Sequence, residues 1–254
     1  MKKYTWPICL LTCVMGSFGA LVRWLQLLNA FEADSGLLIK GSASTAVLIA
    51  IMVFTAAALF LMAHLLGKTE VGFLGGQSRL WYWVSIFAGL LGLIGAVLCF
   101  FTAPYKTTPI LYRILAIMLL LASLCMPLLI RSLQKRRTDD ISHISACVLV
   151  IVACFWLIVS YKENASDPTL WHFLPELFAS AAVSIAAYYA AGFVYGKKKY
   201  AAAVFFSNLA AFMCIVSLAD QLEKWRYFVL IGFTLLLMSV SMVLENGNGQ
   251  HVKT

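Results

Sequence analysis

Four ionisable residues lie within or beside strongly apolar stretches of the chain, namely Arg23, Arg113, Glu176 and Asp220. A charge inside a membrane is costly and is usually paired or functional. An arginine guanidinium can bind a carboxylate or a phosphate through two parallel hydrogen bonds. One interpretation is that the four residues line a polar cavity for a small solute. In a second interpretation, each charged side chain extends to the membrane surface. In a third, Glu176 and Asp220 act as counter-ions of the two arginines.

A row of polar residues continues from Glu176 at four-residue spacing, through Ser180, Ser184 and Tyr188. This spacing predicts one slowly turning helix face, on a stretch otherwise rich in alanine. Small residues let transmembrane helices approach closely, so the row indicates either interhelical hydrogen bonding or a solute path. Asn208, inside another apolar stretch, must also find a hydrogen-bond partner. The candidate substrate-binding residues are therefore Arg23, Arg113, Glu176, Ser180, Ser184, Tyr188, Asn208 and Asp220.

The composition indicates which elements position these residues. Of 254 residues, 62% are hydrophobic and 12% are charged, whereas a soluble domain is about 25% charged. Eight stretches are apolar and long enough to cross a bilayer as helices, and no gap between them could hold a soluble domain. The sequence thus predicts an all-α polytopic membrane bundle forming one transmembrane domain, residues 1–254. The predicted spans are 5–28, 43–66, 80–103, 109–130, 141–161, 174–195, 200–218 and 227–244.

Basic residues predict the orientation of the bundle. The runs 134–137 and 196–199 fall on the same side as the N-terminus, and positive residues concentrate in cytoplasmic loops. We therefore expect both termini in the cytoplasm, the four ionisable residues toward the outer side, and the bacterial cytoplasmic membrane as the location. The lipid bilayer is the expected partner, and nucleic acid is not, because no exposed basic domain is predicted. The first span resembles a signal peptide, but its apolar run continues to Leu28, which favours a retained helix.

The cysteine and histidine patterns predict no metal or cofactor site. All seven cysteines lie in apolar spans, where cysteine is typically a small packing residue. The four histidines form no evident haem-ligating pair, and the sequence carries no phosphate-binding loop, dinucleotide fingerprint, zinc-protease motif or serine-hydrolase motif. We therefore expect no cofactor and no catalytic residue. Gly89, Gly92 and Gly95 in the third span predict close helix packing.

Three functional hypotheses follow. The favoured one is a permease, or a substrate-binding membrane subunit, for a small polar solute that is anionic if the arginines bind it. The second is a non-catalytic anchor or assembly subunit of a larger complex, with a membrane or ATPase subunit as its partner. The third is an intramembrane lipid-modifying enzyme that uses Glu176, His172 and Asp220. Because the predicted mid-membrane region carries no Asp, Glu, Lys or Arg, a stand-alone proton-coupled antiporter is disfavoured.

Overall fold

The computed structural model describes residues 5–32, 37–67, 79–102, 109–135, 139–164, 172–197 and 199–248. Within these ranges the chain forms eight α-helices and no β-strand, apart from one isolated antiparallel bridge between Phe31 and Leu38. The helices are α1 (Thr5–Asn29), α2 (Ala43–Gly67), α3 (Arg79–Thr102), α4 (Pro109–Lys135), α5 (Asp140–Asn164), α6 (Leu174–Val194), α7 (Tyr200–Ser217) and α8 (Lys224–Asn248).

All eight helices are long and apolar enough to cross a membrane. A helix satisfies its backbone hydrogen bonds internally, as a lipid environment requires. The predicted all-α polytopic bundle is therefore confirmed. Three helices extend beyond their predicted bounds by three residues or more, since α4 continues to Lys135, α5 continues to Asn164, and α8 runs from Lys224 to Asn248. Charged residues at helix ends can reach the polar interface, so they lengthen a helix without adding to its apolar stretch. The predicted end of the third span, at residue 103, and parts of both basic runs lie outside the described residues.

Six of the helices form a closed ring, because each helix from α3 to α7 packs against the next and α8 packs against both α7 and α3. In its membrane-crossing part, 72% of the residues of α8 are buried, against 28% for α2. Within the ring, Trp156 of α5 stacks on Phe233 of α8, with ring centroids 5.6 Å apart. Helices α1 and α2 pack together against α7, outside the ring.

Glycines bring α3 close to both of its neighbours. A Cβ atom on Gly89 would lie 2.7 Å from the main-chain oxygen of Ser123 in α4, and a Cβ atom on Gly92 would lie 2.7 Å from the Oγ atom of Ser123. On the other side, a Cβ atom on Gly95 would lie 2.8 Å from Val229 of α8. These contacts confirm the predicted close packing of the third span.

Successive helices alternate in direction, so α1, α3, α5 and α7 finish at the end of the bundle where α2, α4, α6 and α8 begin. We call this end the ion-pair end, after the buried residues Arg23, Glu176, Asp220 and Arg226. The opposite end, which we call the basic end, carries the exposed residues Lys135, Lys197 and Lys199.

Candidate functional site

Arg23, near the end of α1, is buried and donates hydrogen bonds from all three of its guanidinium nitrogens. The Nε atom donates to Asp220 Oδ1 at 2.6 Å, and Nη1 donates to Gln26 Oε1 at 2.7 Å. The Nη2 atom donates to the main-chain oxygen of His172 at 2.8 Å. The side chains of Arg23 and Asp220 are 1% and 4% exposed. This ion pair therefore joins α1 to the α7–α8 connection and to the start of α6.

Phe31, which follows α1, lies beside this ion pair. The ring of Phe31 stacks on the ring of His172, with centroids 3.8 Å apart. The guanidinium carbon of Arg23 lies 6.0 Å from the Phe31 centroid, at the limit of a cation–π contact. Gln26 extends the network to α2, because its Nε2 atom donates to Thr45 Oγ1 at 2.8 Å.

Asp220 is held by its backbone as well as by its side chain. The hydroxyl of Tyr227 donates to the main-chain oxygen of Asp220 at 2.6 Å and accepts from the main-chain N–H of Leu222 at 3.1 Å. The Oδ2 atom of Asp220 is buried and has no hydrogen-bond partner among the described residues. Burial raises the pKa of Asp220 to about 6, against the opposing charge of Arg23 and with a further contribution from Glu176.

Arg226, in the first turn of α8, forms a second buried ion pair. Its Nη1 atom donates to Glu176 Oε2 at 2.6 Å, and its Nη2 atom donates to Glu163 and, at 3.3 Å, to the hydroxyl of Tyr112. The Glu176 side chain is 0% exposed and also accepts from Ser160 Oγ at 3.3 Å. This cluster joins α4, α5, α6 and α8.

The two ion pairs form one electrostatic site. The negative charge of Glu176 contributes to the raised pKa of Asp220, so the two pairs interact. The two pairs contain the buried carboxylates of Asp220 and Glu176 and two guanidinium groups, and Arg226 also pairs with the part-exposed Glu163. Leaving either buried carboxylate without its arginine would therefore be costly.

The structure brings together three of the four ionisable residues that the sequence singled out. Arg23, Asp220 and Glu176 lie at the ion-pair end, whereas Arg113 is exposed on the surface of α4. The guanidinium that binds Glu176 belongs to Arg226, which the predicted spans left in a connection. One feature of the sequence could have identified Arg226 as the partner of Glu176. Arg226 lies directly before an apolar stretch, at the same predicted end of the bundle as Glu176.

The polar row on α6 does not stay on one buried face. Ser180 and Ser184 are buried, and their hydroxyls donate to the main-chain oxygens of Leu177 and Ser180. Tyr188 is 60% exposed. A four-residue step advances a helix by about 40°, so three steps turn the row by about 120° between Glu176 and Tyr188. The row therefore passes from the interior at Glu176 to the lipid-facing surface at Tyr188.

Asn208 belongs to a separate polar cluster that joins α1, α7 and α8. Its amide oxygen accepts from Thr12 Oγ1 at 3.1 Å, and its Nδ2 atom donates to Ser241 Oγ at 2.7 Å and to the main-chain oxygen of Val204 at 2.8 Å. Asn208 lies nine residues before the end of α7, about 14 Å along the helix. Its hydrogen bonds hold helices together at a depth well removed from the ion-pair end.

The described residues contain no group of three or more His, Cys, Asp or Glu side chains placed to hold a metal ion. Comparison of the chain with protein-family models, with curated protein sequences and with solved structures finds no match.

Proposed function

We propose that the chain is a permease, or the substrate-binding membrane subunit of a transport complex, for a small polar solute. In this proposal the ion-pair end is the gate through which the solute enters. The observation that carries it is the pair of buried ion pairs, Arg23–Asp220 and Arg226–Glu176, which connect helices from both sides of the bundle at one end.

Stabilisation of the fold does not by itself explain why the chain has buried ion pairs. A buried ion pair loses so much hydration that well-packed apolar residues often replace it without cost. Ionisable residues inside membrane proteins more often mark the path of an ion or a solute. An ion pair between helix ends can also exist in two discrete arrangements, closed when paired and open when exchanged for a ligand. These considerations support a gate at the ion-pair end.

The proposal includes an orientation. The exposed lysines of the basic end, Lys135, Lys197 and Lys199, would face the cytoplasm of a bacterial cell according to the positive-inside tendency. Both termini would then lie in the cytoplasm, and the gate would open to the outside.

Uptake into proteoliposomes tests this function. Purified protein is reconstituted, and uptake is measured for pools of labelled anionic, zwitterionic and cationic small solutes. We expect the wild type to take up one of these pools. Uptake of that pool should be lost in the Arg23→Gln variant, because this change removes the charge that Asp220 binds. Arg131→Gln is the matched control, since Arg131 is exposed on α4 at the basic end.

Two outcomes would change the assignment. If uptake is equal in the wild type, in Arg23→Gln and in Arg113→Gln, the ion-pair end is not the solute site. If uptake is lost in Arg113→Gln as well, the exposed arginine also takes part in solute recognition.

One observation favours the alternative, a non-catalytic anchor or assembly subunit. Helix α2 lies outside the six-helix ring and has only 28% of its crossing residues buried, so it offers a long apolar face to a partner membrane subunit. Native mass spectrometry of protein extracted in a mild detergent distinguishes the two functions. A second polypeptide at fixed stoichiometry, together with no uptake by the chain alone, would support the assembly subunit. A lone chain that retains a small-molecule mass would support the permease.

A further inference from the structure

An apolar groove of about 260 Å³ lies on the outer surface of the six-helix ring, between the end of α3 and the first half of α4. Ala96 and Ala116 form its floor and are 1% and 2% exposed. Larger side chains rise on both sides of this floor and are between 41% and 71% exposed. They are Val97, Phe100 and Phe101 on α3, and Ile117 and Leu120 on α4.

The groove suits a flexible hydrocarbon chain. Every residue that lines it is apolar, so it offers no hydrogen bond to orient a polar solute. Its volume is below the range of about 300–1,000 Å³ that is typical of pockets for compact ligands. The groove also lies within the membrane-crossing parts of both helices, where the acyl chains of lipids are the surrounding solvent.

Arg113 lies beside this groove, on the side nearer the ion-pair end. It precedes Ala116, Ile117 and Leu120 by three, four and seven residues, and this spacing puts all four on one side of α4. The side chain of Arg113 is exposed. Arg113 is about one turn from the start of α4, and the groove residues of α4 follow about 5–10 Å further along the helix.

This arrangement matches the layout of a phospholipid, which has its phosphate at the membrane surface and its acyl chains directed inward. A guanidinium can bind a phosphate through two parallel hydrogen bonds. It has five N–H donors, so Arg113 can bind a phosphate and keep other contacts within the chain. A phosphate would also lower the cost of placing a charge beside lipid.

We propose that Arg113 and the α3–α4 groove form a binding site for one anionic phospholipid of the leaflet at the ion-pair end. The lipid phosphate binds Arg113, and one acyl chain lies in the groove. A zwitterionic lipid carries an ammonium group that weakens its attraction to Arg113, so the site prefers an anionic headgroup by about fivefold, the effect of one cation near an anionic lipid surface. This inference goes beyond the proposed function, because it holds whether or not the chain transports a solute.

Photo-cross-linking with lipid probes tests the site. The full chain is reconstituted in phosphatidylcholine vesicles that contain a small fraction of photoreactive phosphatidylglycerol or phosphatidylcholine, with the reactive group on the same acyl chain. Cross-linked residues are identified by mass spectrometry. We expect the phosphatidylglycerol probe to label residues 96–101 and 116–120 about fivefold more than the phosphatidylcholine probe. This labelling should saturate, and unlabelled phosphatidylglycerol should displace it.

Substitutions at Arg113 test the headgroup contact. Arg113→Gln should reduce labelling by the phosphatidylglycerol probe to the level of the phosphatidylcholine probe, whereas Arg113→Lys should retain most of the preference because it keeps the charge. Arg131→Gln is the matched control and should leave labelling of the groove unchanged. Arg131 is also exposed on α4, and it lies 18 residues further on, which is five full turns along the same side and about 27 Å away.

Filling the groove tests the acyl-chain contact. Val97 is 41% exposed, so the larger ring of Val97→Trp can cover the groove without entering the bundle. We expect labelling of residues 116–120 by both probes to fall severalfold. Val53→Trp is the matched control, because Val53 is 64% exposed on α2 and the change adds the same bulk elsewhere on the apolar surface.

Three results would overturn the proposal. Equal labelling of the groove by the two probes in the wild type would remove the role of Arg113. Labelling that does not saturate and is as strong on α2 as at the groove would indicate ordinary boundary lipid. Cross-links between the groove and a second copy of the chain would assign this surface to an interface between copies. The wild-type comparison of the two probes decides the question even if a variant does not fold.

Discussion

Replacing Arg226 by glutamine should destabilise the bundle more than any other single change at the ion-pair end. The change leaves the carboxylate of Glu176, which is 0% exposed, with the hydroxyl of Ser160 as its described hydrogen-bond donor. Removing one partner of a buried ion pair typically costs about 3–5 kcal/mol. Glu163→Gln should cost about 1 kcal/mol or less, because Glu163 is 22% exposed and Arg226 keeps Glu176.

The double variant Arg226→Gln with Glu176→Gln isolates the reason for this cost. It removes the uncompensated charge and places two amides where they can hydrogen-bond to each other, so we expect it to recover about 2 kcal/mol relative to Arg226→Gln. The assay is equilibrium unfolding of the purified chain in mixed micelles, and the signal that is monitored is the loss of helix packing. Arg131→Gln, on an exposed surface, is the control and should change the free energy of unfolding by less than about 0.5 kcal/mol.

The electrostatic reasoning would be refuted by either of two results. One is an Arg226→Gln variant no less stable than Arg131→Gln. The other is a double variant no more stable than the Arg226→Gln single variant, because the cost would then come from lost packing of the arginine stem and not from a buried charge.

Four further results follow from the contacts described above. Gly89→Ala should destabilise the bundle more than Gly16→Ala in the same unfolding assay, because a Cβ atom on Gly89 meets a main-chain oxygen at 2.7 Å, whereas one on Gly16 meets side-chain atoms of Ile215 at 3.0 Å or more. Asn208→Leu should cost about 0.6–2 kcal/mol and loosen α1, measured by cross-linking of α1 to α8, while Ser207→Ala should cost almost nothing because its hydroxyl has no described partner. The free energy of unfolding should fall as the pH rises from 3.8 to about 6, since folded Asp220 binds its proton more tightly than unfolded aspartate does; an equal fall in Asp220→Asn would contradict this. A reporter that is active only in the cytoplasm should be active when it is fused to the C-terminus. Activity of a reporter that requires export, fused at the same place, would reverse the proposed orientation.

Hydropathy was sufficient to predict the eight helices, because a bilayer requires about 20 consecutive apolar residues for each crossing. It was least informative at helix ends, where charged residues continue a helix but add nothing to its apolar stretch. The start of α8 at Lys224 shows the consequence. The predicted span began at residue 227, so Arg226 was left outside it and its role as the partner of Glu176 was missed.

The pairing of charges depends on packing that spacing alone does not reveal. Arg226 and Glu176 are 50 positions apart, and they meet because α6 and α8 begin at the same end of the bundle. The sequence offered Arg23 and Arg113 as partners for two carboxylates, and the structure places Asp220 beside Arg23. The exposure of Arg113 depends on which side of α4 packs against α3, α5 and α8, and residue spacing does not reveal that packing. The roles of these residues in solute binding remain predictions.

The extensive burial of α8 has a consequence for biogenesis. The ribosome delivers α8 after the seven other described helices, yet α8 closes the ring between α7 and α3 and supplies Arg226 to carboxylates on α5 and α6. Until α8 is inserted, the glycine face of α3 and the side chain of Glu176 lack their final partners. A nascent chain that stops before α8 therefore presents an incomplete bundle, in which Glu176 lacks its arginine partner. We expect membrane proteases to remove such a product, so that insertion of α8 acts as a check that synthesis has passed through this helix.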